Sequence, residues 1–221
     1  MAIWKKSFLL ILAALSFSQG FSETFQKLPE DCTISYGDPR APIHVVEYFS
    51  FSCPQCLDLL KNEFPKAREK YIHPGKVYWT FHPDPADLLT LQAMICFKAL
   101  TSEEKTLLLE ETVNHLNPKS LGKGRFLLQE IMKSLGKPQP SLNDLQWIEK
   151  TEAFQEAYLY LSQKQVPSDL PTIEVNGRLY KEFPSLKALD QILIVQEPAG
   201  QISNEQNTTL IQRLKEKDFN E

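Results

Sequence analysis

The sequence predicts an α/β fold in which two mixed strand-and-helix segments flank an all-helical insertion. Three observations support this prediction. Residues 43–49 form a short, nearly continuous apolar run that leads directly into a helical pattern, which is typical of a buried strand before a helix. Residues 86–164 are almost entirely helical in pattern. Two short strand-like runs, joined by Asn176-Gly177, follow this helical block and indicate a β-hairpin.

Length and composition indicate a globular protein with one cored domain and an insertion, or with two small domains. The chain has 221 residues, of which 42% are hydrophobic and 24% are charged. The formal net charge is -4, and there is no large basic block. A nucleic-acid surface normally shows clustered Lys and Arg, so we expect no nucleic-acid partner.

The N-terminal residues 1–22 have the pattern of a secretory signal peptide. Two lysines, Lys5 and Lys6, precede an apolar core over Phe8–Phe17, and small residues follow it. The core is short for a membrane span, and the alternatives are an uncleaved anchor or a buried helix. Export predicts a mature domain over 23–221, located in the periplasm or cell envelope.

The first strands and the first helix follow in order. Residues 33–36 indicate an edge strand, and 43–49 indicate a central strand buried on both faces. A helix is predicted from Pro54, because proline is well tolerated in a first turn, where no N–H is needed. Pro65 lies inside its apolar pattern and predicts a kink or a break. Residues 77–82 read as the next strand.

The helical insertion is expected at about 84–165. Ser102 and Ser141 are candidate N-caps, Ser141 with Asp144 at the third position, whereas Ser102 has no capping box because Lys105 lies three residues after it. The predicted helices are 86–100, 102–116, 124–135 and 141–164. An apolar stripe is predicted for the last of them, formed by Leu145, Ile148, Phe154, Ala157, Tyr158 and Leu161.

Strand patterns return after the insertion, and the chain closes with a helix. Short runs at 171–175 and 178–180 form the predicted hairpin around its Asn-Gly turn. Ser185 is expected to cap a final helix, and the residues from Glu197 onward read as a loosely held tail with one short helix.

The pair Cys53 and Cys56 carries the predicted chemistry. Pro54 and Gln55 separate the two cysteines, and the pair opens the helix. A sulfur at a helix N-terminus lies beside free backbone N–H groups and the positive end of the helix dipole, which favours thiolate over thiol. The thiolate attacks disulfides. We therefore assign Cys53 as the attacking sulfur and Cys56 as the buried resolving thiol, with no cofactor.

Three other interpretations of this pair remain open, one of which is a chance pair with no role. Two cysteines with this spacing are also half of a zinc site, but zinc takes four ligands and no second such pair or matching histidine spacing is present. We therefore expect no metal. A purely structural disulfide is the second alternative.

Glu47 is the exception in the apolar strand, six residues before Cys53. Its apolar neighbours favour a desolvated carboxylate that moves protons to and from Cys56 through water. The alternative is a position at the edge or end of the sheet, with the side chain in solvent.

The segment Val46-Glu47-Tyr48-Phe49-Ser50-Phe51-Ser52-Cys53-Pro54-Gln55-Cys56 resembles the active-site segment of the DsbA-like family of thioredoxin-fold oxidoreductases. The resemblance extends upstream to residues 38–42. It extends downstream to Leu170-Pro171-Thr172 and Asn176-Gly177, and so covers essentially the whole mature chain. It implies a thioredoxin-like fold with an all-helical insertion.

The resemblance also implies roles for individual residues. Pro171 would follow a cis peptide bond, face the cysteine pair and shape a substrate groove together with Leu170 and Thr172. The backbone of Leu170 would bind an extended substrate strand. Glu47 would be the buried acid. The alternative for Pro171 is an ordinary trans proline at the start of a strand.

Gln55 departs from the strongest oxidants of the family, which carry His at this position. Glutamine donates hydrogen bonds but has no positive charge, so we expect a less stabilised thiolate and a less oxidising pair.

Two further cysteines, Cys32 and Cys96, lie outside this motif. They are candidates for a second, structural disulfide that ties the insertion to the core. The alternative is a pair of buried reduced thiols.

The resemblance and the motif together predict an exported, monomeric thiol–disulfide oxidoreductase that introduces disulfides into exported proteins. A membrane redox partner would re-oxidise it. The alternatives are an envelope reductase or isomerase, or a chaperone or binding module in which the groove matters more than the sulfurs.

Overall fold

The protein, as a computed structural model, is described over residues 27–139, 141, 144–163, 167, 169–181 and 186–196. The predicted signal peptide, the Ser185 cap and the tail from Glu197 lie outside these residues. A five-stranded mixed sheet has the strand order β1-β3-β2-β4-β5. Its strands are β1 (Ile34–Tyr36), β2 (Ile43–Phe49), β3 (Val77–Pro83), β4 (Thr172–Val175) and β5 (Arg178–Lys181).

The central strand β2 positions the site. It pairs in parallel with β3 and antiparallel with β4, and Glu47 lies between Phe81 on one neighbour and Ile173 on the other. Apart from His44, every residue of β2 is buried. Helical cover on a central strand explains this near-continuous apolar run, so the predicted buried strand is confirmed.

The helical segment after β2 continues through Pro65 instead of breaking there. It consists of α1 (Pro54–Asp58), a π-helical turn (Leu59–Glu63), α2 (Phe64–Ala67) and a second π-helical turn (Arg68–Ile72). A proline ring clashes with the carbonyl four residues earlier and offers no N–H. The π turn ends just before α2, so Pro65 lies in the first turn of α2, where its missing N–H is tolerated.

Five helices lie between β3 and β4 in the described part of the chain, and one follows β5. The five are α3 (Leu88–Phe97), α4 (Ser102–His115), α5 (Gly124–Ser134), α6 (Leu145–Ile148) and α7 (Glu152–Ser162), and the last is α8 (Leu186–Gln196). Short 3-10 segments occur at Glu30–Cys32 and Pro118–Lys123. The α/β class with a helical insertion is confirmed. No helix among the described residues is long and apolar enough to cross a membrane.

Two predicted N-caps were wrong. Thr101, and not Ser102, caps α4, and it forms a capping box with Glu104. The sequence carries this Thr-x-x-Glu signature one residue before the predicted cap. Ser141 caps no helix, because α6 begins after Asp144, whose side chain accepts the N–H of Trp147.

The single helix predicted over 141–164 is two helices, since Thr151 caps a new one. The restart changes which residues face the core. Tyr158 is 65% exposed, whereas Tyr160 is buried at 1% exposure. The predicted apolar stripe is therefore wrong at Tyr158, and it is also wrong at Leu145, which is exposed.

The predicted hairpin between β4 and β5 is confirmed. Asn176 and Gly177 have φ angles of 47° and 84°. Two consecutive residues at positive φ form the turn that matches the twist of the flanking strands, and Asn-Gly is the favoured sequence for it. The hairpin holds β4 against β2, beside the buried Glu47.

Candidate active site

Cys53 is the N-cap residue of α1. Its Sγ accepts a hydrogen bond of 3.2 Å from the backbone N–H of Cys56. Pro54 stands in the first turn, where its missing N–H leaves no hydrogen bond unmade. Cys53 is half-buried and Cys56 is fully buried. The predicted difference in exposure between the two sulfurs is therefore present.

The environment separates the two thiols in acidity. Hydrogen bonds lower the pKa of Cys53 to about 6, first from the Cys56 thiol and then from the backbone N–H groups of Cys56 and Gln55. The same thiol–thiol contact, followed by burial, raises the pKa of Cys56. At neutral pH the arrangement holds Cys53 as the thiolate and Cys56 as the thiol. The thiolate form of Cys53 can attack a disulfide, and the protonated Cys56 can then resolve the mixed disulfide.

Glu47 is fully buried on β2, as its apolar neighbours predicted. The indole N–H of Trp79 donates a 3.2 Å hydrogen bond to Oε2, and Oε1 has no hydrogen-bond partner among the described residues. Burial raises the pKa of Glu47 to about 8; the Trp79 hydrogen bond opposes this shift, and the charge of Cys53 adds to it. A carboxyl with this pKa is able both to give and to take a proton near neutral pH.

The loop before β4 lies at the same end of the sheet as the cysteine pair. The register pairs Thr172 with Tyr48, two residues before the loop that leads to Cys53. The Leu170–Pro171 peptide bond is cis, as the resemblance implied. Pro171 and Thr172 are buried, and the Thr172 hydroxyl donates to the carbonyl of Asp169. Leu170 is partly exposed, so part of this loop is open to a partner.

The match to known families spans the sheet, the insertion and the cysteine pair together. A family model described as thioredoxin matches residues 30–194. The chain belongs to the thioredoxin family. No curated protein sequence matches it significantly.

Solved structures extend this finding to the DsbA-type form of the thioredoxin fold. The crystal structure of α-DsbA1 from Wolbachia pipientis is 24% identical, with a TM-score of 0.58 over 76% of this chain and 92% of that chain. Oxidised BdbD from Bacillus subtilis is 21% identical, with a TM-score of 0.60 over 78% and 97%. DsbA from Chlamydia trachomatis is 19% identical, with a TM-score of 0.55 over 78% and 92%. The predicted resemblance and the thioredoxin-like fold are confirmed.

This thioredoxin-family site has a supporting network that the sequence analysis missed. Asp87 caps α3 and accepts hydrogen bonds of 2.5 Å from the hydroxyls of Ser50 and Thr90. Those hydroxyl oxygens in turn accept the backbone N–H groups of Ser52 and Phe51. The insertion therefore fixes the backbone just before Cys53. A cap signal at Asp87 was visible in the sequence, but its bond to the cysteine loop was not.

Gln55 and the remaining cysteines complete the site residues. Gln55 Oε1 lies 4.0 Å from Cys53 Sγ, so this side chain offers the thiol a neutral acceptor. All four cysteines are free thiols in the structure, and Cys32 and Cys96 are both buried. The Cys32 thiol donates to Glu156 at 3.1 Å. Their pairing stays a prediction, which mass mapping of disulfides without reduction tests.

One group of side chains in the described residues has the spacing of metal ligands. Ligand atoms of Asp31, Cys32 and Glu156 lie within 4.8 Å of one another. The ammonium of Lys98 contacts Asp31 at 2.7 Å and Glu156 at 3.1 Å. The lysine already pairs with both carboxylates, so the cluster is an ion-pair network and makes a poor cation site.

Proposed function

We propose that this chain is an exported thiol–disulfide oxidoreductase that introduces disulfides into secreted or envelope proteins. The observation that carries the proposal is the opposite pKa shift of the two neighbouring thiols. Cys53 caps a helix and its thiol has a lowered pKa, whereas the thiol of Cys56 behind it is buried and has a raised pKa. A low pKa makes Cys53 a good leaving group, which favours passing a disulfide on to a substrate.

The proposed reaction consists of two thiol–disulfide exchanges. A substrate thiolate attacks Cys53 of the Cys53–Cys56 disulfide; the S–S bond breaks, and Cys56 leaves and takes a proton. The second substrate thiolate then attacks the mixed disulfide, and Cys53 leaves as a thiolate. The substrate loses two electrons, and the enzyme gains them. Glu47 is proposed to supply the proton for Cys56, and the loop of Leu170, Pro171 and Thr172 to bind the substrate strand.

The names of similar structures support thiol–disulfide exchange as the chemistry. They include the DsbA and BdbD proteins above and a protein-disulfide isomerase from Novosphingobium aromaticivorans, at 16% identity and a TM-score of 0.54. A membrane redox partner would re-oxidise Cys53 and Cys56, which fits an envelope location and the signal-peptide pattern of residues 1–22. We propose that the enzyme works as a monomer.

The test uses a peptide with two thiols and the oxidised full chain. We expect the peptide to be oxidised as Cys53 and Cys56 become reduced, and Cys53→Ala to abolish this transfer. Cys56→Ser is expected to accumulate a mixed disulfide on Cys53 with exported proteins. Peptide binding without any electron transfer in the wild-type chain would instead support a chaperone or binding module.

The second candidate is an envelope reductase or isomerase, and Gln55 is the observation that favours it. Without a cation beside Cys53, the reduced form is less stabilised and the pair is less oxidising. The state of the two cysteines in the cell envelope separates the candidates. A mostly oxidised pair supports the oxidase, and a mostly reduced pair supports the reductase or isomerase.

A further inference from the structure

The hydrogen-bond donor to the buried carboxyl of Glu47 is an indole. The Trp79 N–H lies 3.2 Å from Oε2, and Trp79 itself is 2% exposed. Its ring packs against Phe64 and Phe81 at centroid distances of 5.6 and 6.2 Å. The indole therefore has little freedom to turn away from the carboxyl.

The surroundings of Glu47 contain few other charges. The cross-strand neighbours on its face, Phe81 and Ile173, are apolar. The titratable groups that interact with it are Cys53 and Cys56 of α1, and a thiolate on either repels its charge. Among the described residues, the groups that shift the pKa of Glu47 are Trp79 and Cys53, and neither is a cation. Burial favours the protonated carboxyl, and the indole N–H is thus the group that stabilises the carboxylate form.

The two carboxyl oxygens differ as a result. Oε2 is occupied by the indole, whereas Oε1 has no partner among the described residues. A neutral indole only donates, so it cannot take the proton itself. A proton that enters or leaves this carboxyl is therefore directed to Oε1.

We propose that Trp79 is a positioning residue for the thiol exchange, because its N–H fixes the Glu47 carboxyl with Oε1 left to exchange a proton with Cys56. This inference rests on the proposed function. When Cys56 attacks a mixed disulfide on Cys53, its proton passes to Oε1 directly or through water, and the S–S bond to the partner breaks as the Cys53–Cys56 bond forms. In the reverse direction, Oε1 returns the proton to the departing Cys56.

The first test follows the indole itself in the reduced full chain labelled with ¹⁵N tryptophan. The Trp79 indole N–H signal is expected to shift with pH, with a midpoint near the Glu47 pKa of about 8. This shift should vanish in Glu47→Gln. Trp147, whose ring is exposed, is the internal control and should not follow that titration. A Trp79 signal that does not titrate, or that titrates equally in Glu47→Gln, would overturn the proposal.

The second test measures how fast Cys56 releases glutathione from a mixed disulfide on Cys53. Trp79→Phe keeps a packed ring and removes the N–H. A hydrogen bond to a charged group is worth at least about one pKa unit, so its loss should raise the pKa of Glu47 by about that much. Because about tenfold less carboxylate is then present at pH 7, we expect the release of glutathione to be about tenfold slower. The difference in release rate between Trp79→Phe and the wild-type chain should disappear above about pH 10. The control Trp147→Phe should release glutathione at the wild-type rate.

The outcomes separate the role of Trp79 from packing and from the proposed function. Slowing by the same factor at every pH would mean that Trp79 only packs, and it would overturn the positioning role. If Trp79→Phe does not fold, the indole titration decides alone. A wild-type chain that exchanges no disulfide, despite a normal Trp79 titration, would overturn the proposed function, and the role of Trp79 with it.

Discussion

The backbone N–H of Cys56 donates a 3.2 Å hydrogen bond to Sγ of Cys53 across the first turn of α1. This contact joins the two sulfur-bearing residues of the motif through the backbone, so it exists only when the helix is formed. A charged acceptor strengthens such a bond, and the folded helix therefore selects the thiolate.

The first prediction concerns the reactivity of Cys53. Alkylation of the reduced chain by iodoacetamide should reach half its maximal rate near pH 6, because the pKa of Cys53 is lowered to about 6. In urea the half-maximal rate should move to about pH 8.5, the ordinary thiol value. Cys53→Ala provides the background, since the other three cysteines are buried. A native midpoint equal to that in urea would contradict the helix effect.

The same lowered pKa sets the sign of a pH effect on stability. The folded reduced chain favours the Cys53 thiolate more than the unfolded chain does. This contribution to the free energy of unfolding is fully present above about pH 8.5. It is lost as the pH falls to about 6, the folded value. The disulfide form has no such contribution and serves as the control in urea titrations at several pH values.

The second prediction tests Gln55. Gln55→His places a cation beside Cys53 where the wild-type chain has a neutral amide oxygen 4.0 Å away. We expect a lower Cys53 pKa and a more oxidising pair, by about 30 mV for each pKa unit. Equilibration with glutathione measures the potential. Gln55→Asn should stay near the wild-type value, and a potential unmoved by histidine would rule out this position as a tuning site.

The third prediction concerns the cost of burying Glu47. Its folded pKa of about 8 lies above the ordinary value, so folding favours the protonated form. The contribution of Glu47 to the free energy of unfolding is fully present below about pH 4 and is lost as the pH rises toward 8. Glu47→Gln removes this loss, and above pH 8 it should be more stable by several kcal/mol, on the order of 2–5.

Urea unfolding at a series of pH values checks this prediction. Glu103→Gln, at an exposed carboxyl on α4, controls for the loss of a carboxyl at the surface. The two variants should differ most above pH 8 and least at pH 4. Equal stability of Glu47→Gln and the wild-type chain at all pH values would mean that Glu47 ionises without penalty.

The fourth prediction concerns the link between the insertion and the cysteine loop. Thr90 is fully buried, and its hydroxyl accepts the N–H of Phe51 at 3.0 Å and donates to Asp87. Thr90→Val leaves that N–H without an acceptor, so we expect a loss of about 1–3 kcal/mol in the free energy of unfolding. Urea unfolding measures it.

Thr112→Val is the matched control for this substitution. Thr112 is also fully buried in a helix of the insertion, but its Oγ1 has no hydrogen-bond partner among the described residues. Removing an unsatisfied hydroxyl is expected to be neutral or stabilising. Equal losses in the two variants would show that the hydroxyl of Thr90 does not hold the loop.

Local signals explain how much of this fold was predictable. The near-continuous apolar run around Glu47 and the Asn176-Gly177 turn act over a few residues, so the sequence alone identifies β2 and the hairpin. One predicted N-cap was wrong by a single residue, at Thr101 and Ser102, and the other by three, at Ser141 and Asp144. The stripe predicted on α7 holds at Phe154, Ala157 and Leu161 and fails at Tyr158, where Tyr160 takes the buried position.

The order of the amino acids is enough to place two thiols at a helix start and an acid six residues earlier in a buried strand. The tertiary structure alone decided what surrounds them. Trp79 reaches Glu47 from the neighbouring strand, and Asp87 reaches Ser50 from the insertion. These contacts join residues more than 30 positions apart, and they depend on strand register and helix packing, which no local pattern encodes.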